Sequence, residues 1–287
     1  MSPVDAIERV SVLSTGTVRI RPDHAAATWK PQMLWMATSR SWTSPMPINA
    51  FVVEHRDGVV LFDTGQNRAS VTDPDYFPGG IIGAFYRRTA QADIAEDETL
   101  ERGLGRLGYR ISDVSTVVIS HLHQDHIGGL GQLTAAKIVV SQDEWDTLDE
   151  TGAELKGLMR KHIDLPGLSW DRIQPEPTKD RALQPFPVGH DLFGDGSLML
   201  LPTPGHTPGS ISMLVRTPGH SPLLMVGDLT YSTHLLDCGH VPGAGSQAQL
   251  RQTTTMVNQL RANLAGTVVL AAHDSDAAGA LAKVTAS

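Results

Sequence analysis

Four apolar runs in this chain stop on histidine or aspartate, and that repetition limits the folds open to it. The segment Ser120-His121-Leu122-His123-Gln124-Asp125-His126 follows Thr116-Val117-Val118-Ile119. Thr203-Pro204-Gly205-His206-Thr207-Pro208-Gly209 follows Leu198-Met199-Leu200-Leu201, Gly227-Asp228 follows the run 223–226, and His273-Asp274 follows the run 268–272. Short apolar runs punctuated by Gly and Pro read as buried strands. Side chains placed this way meet only if the strand ends share one edge of a sheet, or of two stacked sheets.

Those side chains suit metal. With the run 117–121 extended, residues alternate between faces, so His121 and His123 project the same way and can close on one cation. Asp125 and His126 lie beyond the strand end, free to turn toward a second cation nearby. Imidazole nitrogen combined with carboxylate oxygen fits zinc, with iron, cobalt and manganese as alternatives. A loop so dense in histidine would repel itself on protonation if it held no cation. His206, Asp228 and His273 complete the set of candidate ligands.

The order of these motifs resembles the metallo-β-lactamase superfamily of mostly binuclear hydrolases. The His-x-His-x-Asp-His signature at 121–126, the Thr-Pro-Gly-His-Thr-Pro-Gly loop, Gly227-Asp228 and His273 come in that family's order. The resemblance implies an α+β (mixed α/β) fold, a four-layer αβ/βα sandwich, holding two divalent metal ions per chain. His121, His123 and His206 would hold the first and Asp125, His126 and His273 the second, with Asp228 bridging them. The likeness runs from Asn49 to about Asp274. Within it, Asp63-Thr64-Gly65 after the run 59–62 resembles the family's early Asp-x-Gly turn, so Asp63 is expected to orient ligands rather than bind metal.

Within the superfamily the chain is most similar to the quorum-quenching N-acyl homoserine lactone lactonases. Those enzymes carry a tyrosine three residues past the bridging aspartate, where Tyr231 stands here. Asp73-Pro74-Asp75-Tyr76-Phe77-Pro78-Gly79-Gly80 also looks similar to their insertion. The resemblance implies attack of a metal-bridging hydroxide on the lactone carbonyl. Tyr231 would donate to the carbonyl oxygen as charge builds there, and Asp125 would pass a proton to the leaving alkoxide. A glyoxalase II-like thioesterase shares the ligands, but it usually ends in a basic helical region, and only the segment 275–287 follows Asp274 here. A phosphotriester, phosphodiester or sulfate ester hydrolase shares them too and stays open. An iron redox protein of the flavodiiron type is disfavoured because His123 is retained, and a binding protein keeping only the fold would have lost ligands. Gln124 and Ile127 within the signature are departures that weaken the lactonase reading.

The composition fits one hydrolase domain over 1–287. At 287 residues, 40% of them hydrophobic, the chain can bury a substantial core. Net charge is −8, from 23 basic and 31 acidic residues, with no basic stretch, which argues against nucleic acid as a partner. The opening Met1-Ser2-Pro3-Val4-Asp5 lacks a basic segment followed by an apolar core, and no run approaches the ~20 apolar residues of a bilayer span. A soluble cytoplasmic protein, not membrane-bound, is therefore expected; relatives are often dimers, which makes a homodimer an expectation to test. The single cysteine, Cys238, excludes an internal disulfide and suits a reducing compartment. With Asp228 available as ligand, Cys238 is expected to pack as a small apolar residue.

Strands are expected at 11–13, 51–53, 59–62, 117–120, 137–140, 198–201, 211–215, 223–226 and 268–271, with Arg56-Asp57-Gly58 as a hairpin turn. Helices are expected at 96–107, 142–161 and 247–264, the last two started by capping boxes at Ser141/Glu144 and Ser246/Gln249. The stretch from Trp29 to Trp42, with three of the five tryptophans, and the run Ile81-Ile82-Gly83-Ala84-Phe85-Tyr86 with Phe77 could line an acyl pocket. A dimer interface or minor core accounts for them equally well. His24, His55, His162, His190, His220, His234 and His240 lack the strand-end pattern and are expected on the surface or in loops.

Overall fold

The structure, a computed structural model, describes residues 6–285, so the expectation on Met1-Ser2-Pro3-Val4-Asp5 lies outside the described residues. Its strands are β1 (Ile7–Ile20), β2 (Met46–His55), β3 (Gly58–Phe62), β4 (Ala90–Asp93), β5 (Val114–Val118), β6 (Lys137–Ser141) and β7 (Ser169–Ile173), then β8 (Glu176–Pro177), β9 (Val188–Asp191), β10 (Leu198–Pro202), β11 (Ile211–Val215), β12 (Leu223–Met225) and β13 (Val268–Leu270). The first seven form one sheet in the order β4-β1-β2-β3-β5-β6-β7, and the other six form a second in the order β13-β12-β11-β10-β9-β8.

Period-two alternation makes the layers. On β2, Phe51 and Val53 face the second sheet, where they pack with Val60, Phe62, Val118, Leu200, Met213 and Met225. Their neighbours Ala50 and Val52 face outward onto Leu100, Leu104, Leu130 and Trp145. The far side of the second sheet does the same: Leu201, Leu214, Leu224 and Val269 pack on Leu250, Val257 and Leu260 of the helix Gln247–Asn263. Two sheets between two helical layers give the expected αβ/βα sandwich.

Direction then gathers the strand ends. β3, β5, β6 and β7 run parallel, β12 and β13 run parallel, and β10 points the same way because β11 is antiparallel to both β10 and β12. Hydrogen bonds from Ile211 N to Ser120 O and from Asn49 N to Ala272 O, 2.9 and 2.8 Å long, tie the two sheets together at that edge.

Several expected elements change. The helix expected over 142–161 is broken into Gln142–Asp146, two further short turns (Thr147–Asp149 and Ala153–Lys156) and Arg160–Ile163. Gly152 and Gly157 take positive φ of 78° and 99°, which reverses the chain where a helix would continue. The helix at 96–107 shortens to Leu100–Arg106, capped by Thr99. Ser246 makes no side-chain cap, and the Ser141 box is half made: Ser141 accepts from Glu144 N, while the Glu144 carboxylate turns inward. β1 is far longer than the 11–13 expected, bulging between Ser14 and Thr17 where its alternation breaks. Cys238 is exposed at the end of the helix Thr233–Asp237 and does not pack as an apolar residue. Among the described residues no helix is long and apolar enough to cross a membrane.

Candidate metal centre

All seven expected ligands meet at the shared edge. Three groups of side chains there have ligand atoms within 4.8 Å of one another: His121, His123 and His206; His121, His126 and Asp228; and Asp125, His126 and His273. In the first group His123 Nδ1 lies 3.0 Å from His121 Nε2 and 2.9 Å from His206 Nε2. In the last, His273 Nε2 lies 3.4 Å from Asp125 Oδ2. Asp228 stands between: its Oδ1 is 3.4 Å from His126 Nε2 and 3.5 Å from His273 Nε2, while its Oδ2 is 3.7 Å from His206 Nε2.

The outer nitrogens of four of these rings are already occupied. His121 Nδ1 meets Ser120 Oγ at 3.0 Å, His123 Nε2 meets Lys156 O at 2.9 Å, His126 Nδ1 meets Asp63 Oδ2 at 2.8 Å and His273 Nδ1 meets Pro47 O at 2.9 Å. Protons held on those outer atoms leave lone pairs on the inner ones. The inner His126 Nε2 and Asp228 Oδ1 are buried and have no hydrogen-bond partner. Converging lone pairs and an unpaired carboxylate oxygen, out of water, are costly unless a cation sits among them, so the donor set fits divalent metal.

Charge divides the cluster: burial works against protonated His126 and His273, yet Asp63 and Asp228 hold the first well above the ordinary imidazole range and Asp228 and Asp125 raise the second, a pull for positive charge that a divalent ion would meet. Burial and the neighbouring His126 and His123 push His121 well below the ordinary imidazole range. Burial and His123 take His206 down to about 3. Burial works against the Asp228 carboxylate, yet His273 and His126 beside it hold it well below the usual carboxylate range.

Asp63 anchors the edge from the first sheet. It is the one non-glycine among the described residues with positive φ, 62°, a strained geometry that persists where surroundings enforce it. Here they do: Asp63 accepts from Ser120 N at 2.7 Å, from Ser120 Oγ at 2.8 Å and from His126 Nδ1. Gly227 is equally constrained, because a Cβ there would come within 2.7 Å of Ser120 Oγ. Glu144, wholly buried, accepts from Leu122 N (2.9 Å), Gly209 N (3.1 Å) and Thr207 Oγ1 (2.6 Å), clamping the loop of His121 and His123 to the loop of His206. Read as a cap residue, Glu144 gave no sequence sign of this work.

A cavity of about 1470 Å³ opens over the cluster. Val18, Ile48, Met33, Phe77, Ile81 and Phe85 supply apolar wall, so both expected pocket segments contribute. Trp29 does not belong to it and is 83% exposed; Trp35 is buried; Trp42 stacks under Arg21 at 3.6 Å. Tyr231 lines the cavity with its ring stacked on His273 (5.3 Å, 14°) and its hydroxyl 3.2 Å from His24 Nε2. Burial and the nearby Asp228 raise the phenol well above its ordinary value, which keeps it a proton donor. His24 is thus a correction: it belongs to the site rather than to the surface, and burial lowers it to about 4. Reading β1 through to Ile20 would have shown it just past a strand end. His55 is also buried, stacked on Phe193, and His162 is half-buried against Gln124, while His220, His234 and His240 are exposed as expected.

Residues 43–273 match the sequence family described as the metallo-β-lactamase superfamily. The chain belongs to the metallo-β-lactamase superfamily. It is 32% identical over 237 residues to the N-acyl homoserine lactonase AttM of Rhizobium radiobacter, covering 81% of this chain and 83% of that one. With an N-acyl homoserine lactonase of a Bacillus species the identity is 28% over 205 residues, 71% and 72% of the two chains. Among solved structures, an N-acyl homoserine lactone hydrolase with N-hexanoyl-L-homoserine bound at its catalytic metal centre superposes at a TM-score of 0.74, with 20% identity, over 94% of this chain and 95% of the other. AidC, a dizinc quorum-quenching lactonase, superposes at 0.61 with 16% identity, over 96% and 92%.

Proposed function

We propose that this protein opens the lactone ring of N-acyl homoserine lactones, as one hydrolase domain with two divalent metal ions. The observation that carries the reading is the Tyr231 hydroxyl, set in the apolar cavity beside the inner face of the Asp228 and His273 cluster. His121, His123 and His206 would hold one ion and Asp125, His126 and His273 the other, with Asp228 between them. The ions would supply a water of lowered pKa and a Lewis acid for the lactone oxygens. Tyr231 donates to the carbonyl oxygen as negative charge develops on it. The Asp125 carboxylate takes the proton of the attacking water and returns it to the ring oxygen as the C–O bond breaks. The apolar wall excludes water and holds the acyl chain. Zinc is the ion that the nitrogen-rich donor set favours. The exposed, unpaired Cys238 agrees with a cytoplasmic setting, and exposed Trp29 and Leu34, outside the cavity lining, offer apolar surface for a homodimer.

The test is Tyr231→Phe in metal-loaded protein, assayed on acyl homoserine lactones, a thioester and a phosphotriester. The expected loss in kcat/KM on the lactone is ~10- to 1,000-fold with metal content intact. Equal, small losses on all substrates, or faster turnover of the thioester or phosphotriester by the intact protein, would overturn the lactonase reading.

A further inference from the structure

His24 lies in the helical turn Pro22–Ala25 that follows β1, and its imidazole fills the gap between Trp35, His206 and Tyr231, with ring centroids 5.6, 6.2 and 5.7 Å away. The turn is firmly seated. Gly243 N donates to His24 O at 2.8 Å, Ala27 N donates to Val241 O at 2.8 Å, and a Cβ at Gly243 would collide with Asp23 O. The ring therefore has little freedom, and its two nitrogens have different fates. Nε2 is 3.2 Å from the Tyr231 hydroxyl, whereas Nδ1 is buried without any partner.

A neutral imidazole carries one ring proton, and the surroundings decide which nitrogen holds it. A proton on Nδ1 would be a buried donor with no acceptor, and Nε2 would then draw the phenolic proton toward itself and away from substrate. A proton on Nε2 leaves only a lone pair unmatched and lets the Tyr231 oxygen accept. The phenol's own proton then turns toward the Asp228 side of the cavity, where a scissile carbonyl would lie. We propose that His24 is a positioning residue: it donates from Nε2 to the Tyr231 oxygen and thereby aims the phenolic O–H at the carbonyl of a bound acyl lactone. This rests on the lactonase reading, in which Tyr231 touches substrate and His24 acts only through it.

The experiment compares His24→Leu, His24→Gln, Tyr231→Phe and the His24→Leu/Tyr231→Phe double variant as metal-loaded enzymes on N-hexanoyl homoserine lactone, with metal content measured in each. His24→Leu should lower kcat about 3- to 10-fold, the range of one hydrogen bond, with KM moved less than about twofold. His24→Gln, which places an amide N–H near the Nε2 position, should recover most of that loss. In the Tyr231→Phe background His24→Leu should cost nothing further. Independently of activity, the ring ¹⁵N shifts of His24 should report the Nε2–H tautomer. Additive losses, a Gln variant as slow as Leu, an Nδ1–H tautomer, or metal loss in His24→Leu would each overturn the inference while leaving the lactonase reading standing. A Tyr231→Phe enzyme at full rate would overturn both.

Discussion

Replacing Asp63 by Asn tests whether an outer carboxylate governs metal affinity at this edge. Asn fits the left-handed backbone that Asp63 adopts, so the turn itself should survive. Its amide oxygen can keep the 2.7 Å bond from Ser120 N. The amide NH₂, however, now points at His126 Nδ1–H and at the Ser120 hydroxyl, both of which donated to the lost Oδ2 at 2.8 Å. Two hydrogen bonds to the carboxylate disappear, the one from His126 alone worth roughly 1.5–3 kcal/mol, and His126 is freed to exchange its tautomer or turn its ring. If that energy had been holding the inner nitrogen in place, affinity at the group of Asp125, His126 and His273 should fall about 10- to 100-fold, with the group of His121, His123 and His206 less affected. Competition against a chromophoric chelator, with elemental analysis for stoichiometry and a melt of the metal-free protein, separates the outcomes. Affinity within about twofold of the parent, with stability lost instead, would refute the argument and leave Asp63 a purely structural residue.

Three further outcomes are expected. Glu144→Ala strands Leu122 N, Gly209 N and the Thr207 hydroxyl, and should destabilise the fold by about 2–4 kcal/mol in urea unfolding; an unchanged midpoint would mean that water replaces the carboxylate without cost. Burial and then Lys161 hold His162 down to about 4, so the folded state resists a proton that the unfolded chain binds near pH 6.5; its stabilising contribution should be complete above that pH and fade as pH falls toward 4, and an imidazole NMR titration midpoint near 6.5 would contradict this. Cys238→Ser should leave bound metal and rate unchanged, and the native thiol should react fully with an aromatic disulfide reagent; protection of the thiol would contradict its exposure.

Much of this arrangement was legible because strand ends carry two signals at once, an apolar run and the residue that stops it. His121, His206, Asp228 and His273 show both, and the structure brings them together. The signal fails where geometry, not composition, decides the outcome. The run at 142–161 has a plausible helical start, but two left-handed glycines turn it into a string of short turns that covers the cavity. Glu144 looks like a cap from three residues away in sequence and is an internal clamp in three dimensions. β1 hid its length behind a bulge and a polar edge, and with it hid His24. Cys238 looked like core filler, yet it ends a five-residue helix facing solvent.

Neither half of the sandwich owns a complete ligand group. The loop after β5 in the first sheet brings His121, His123, Asp125 and His126, and the ends of β10, β12 and β13 in the second bring His206, Asp228 and His273. A chain in which only one sheet has formed would offer a loose chelate that exchanges with solvent. Docking of the halves would create the tight one, so a bound metal would act as a clasp that reports closure as well as enabling chemistry. Chelators should accordingly loosen the seam between the sheets before they melt either sheet.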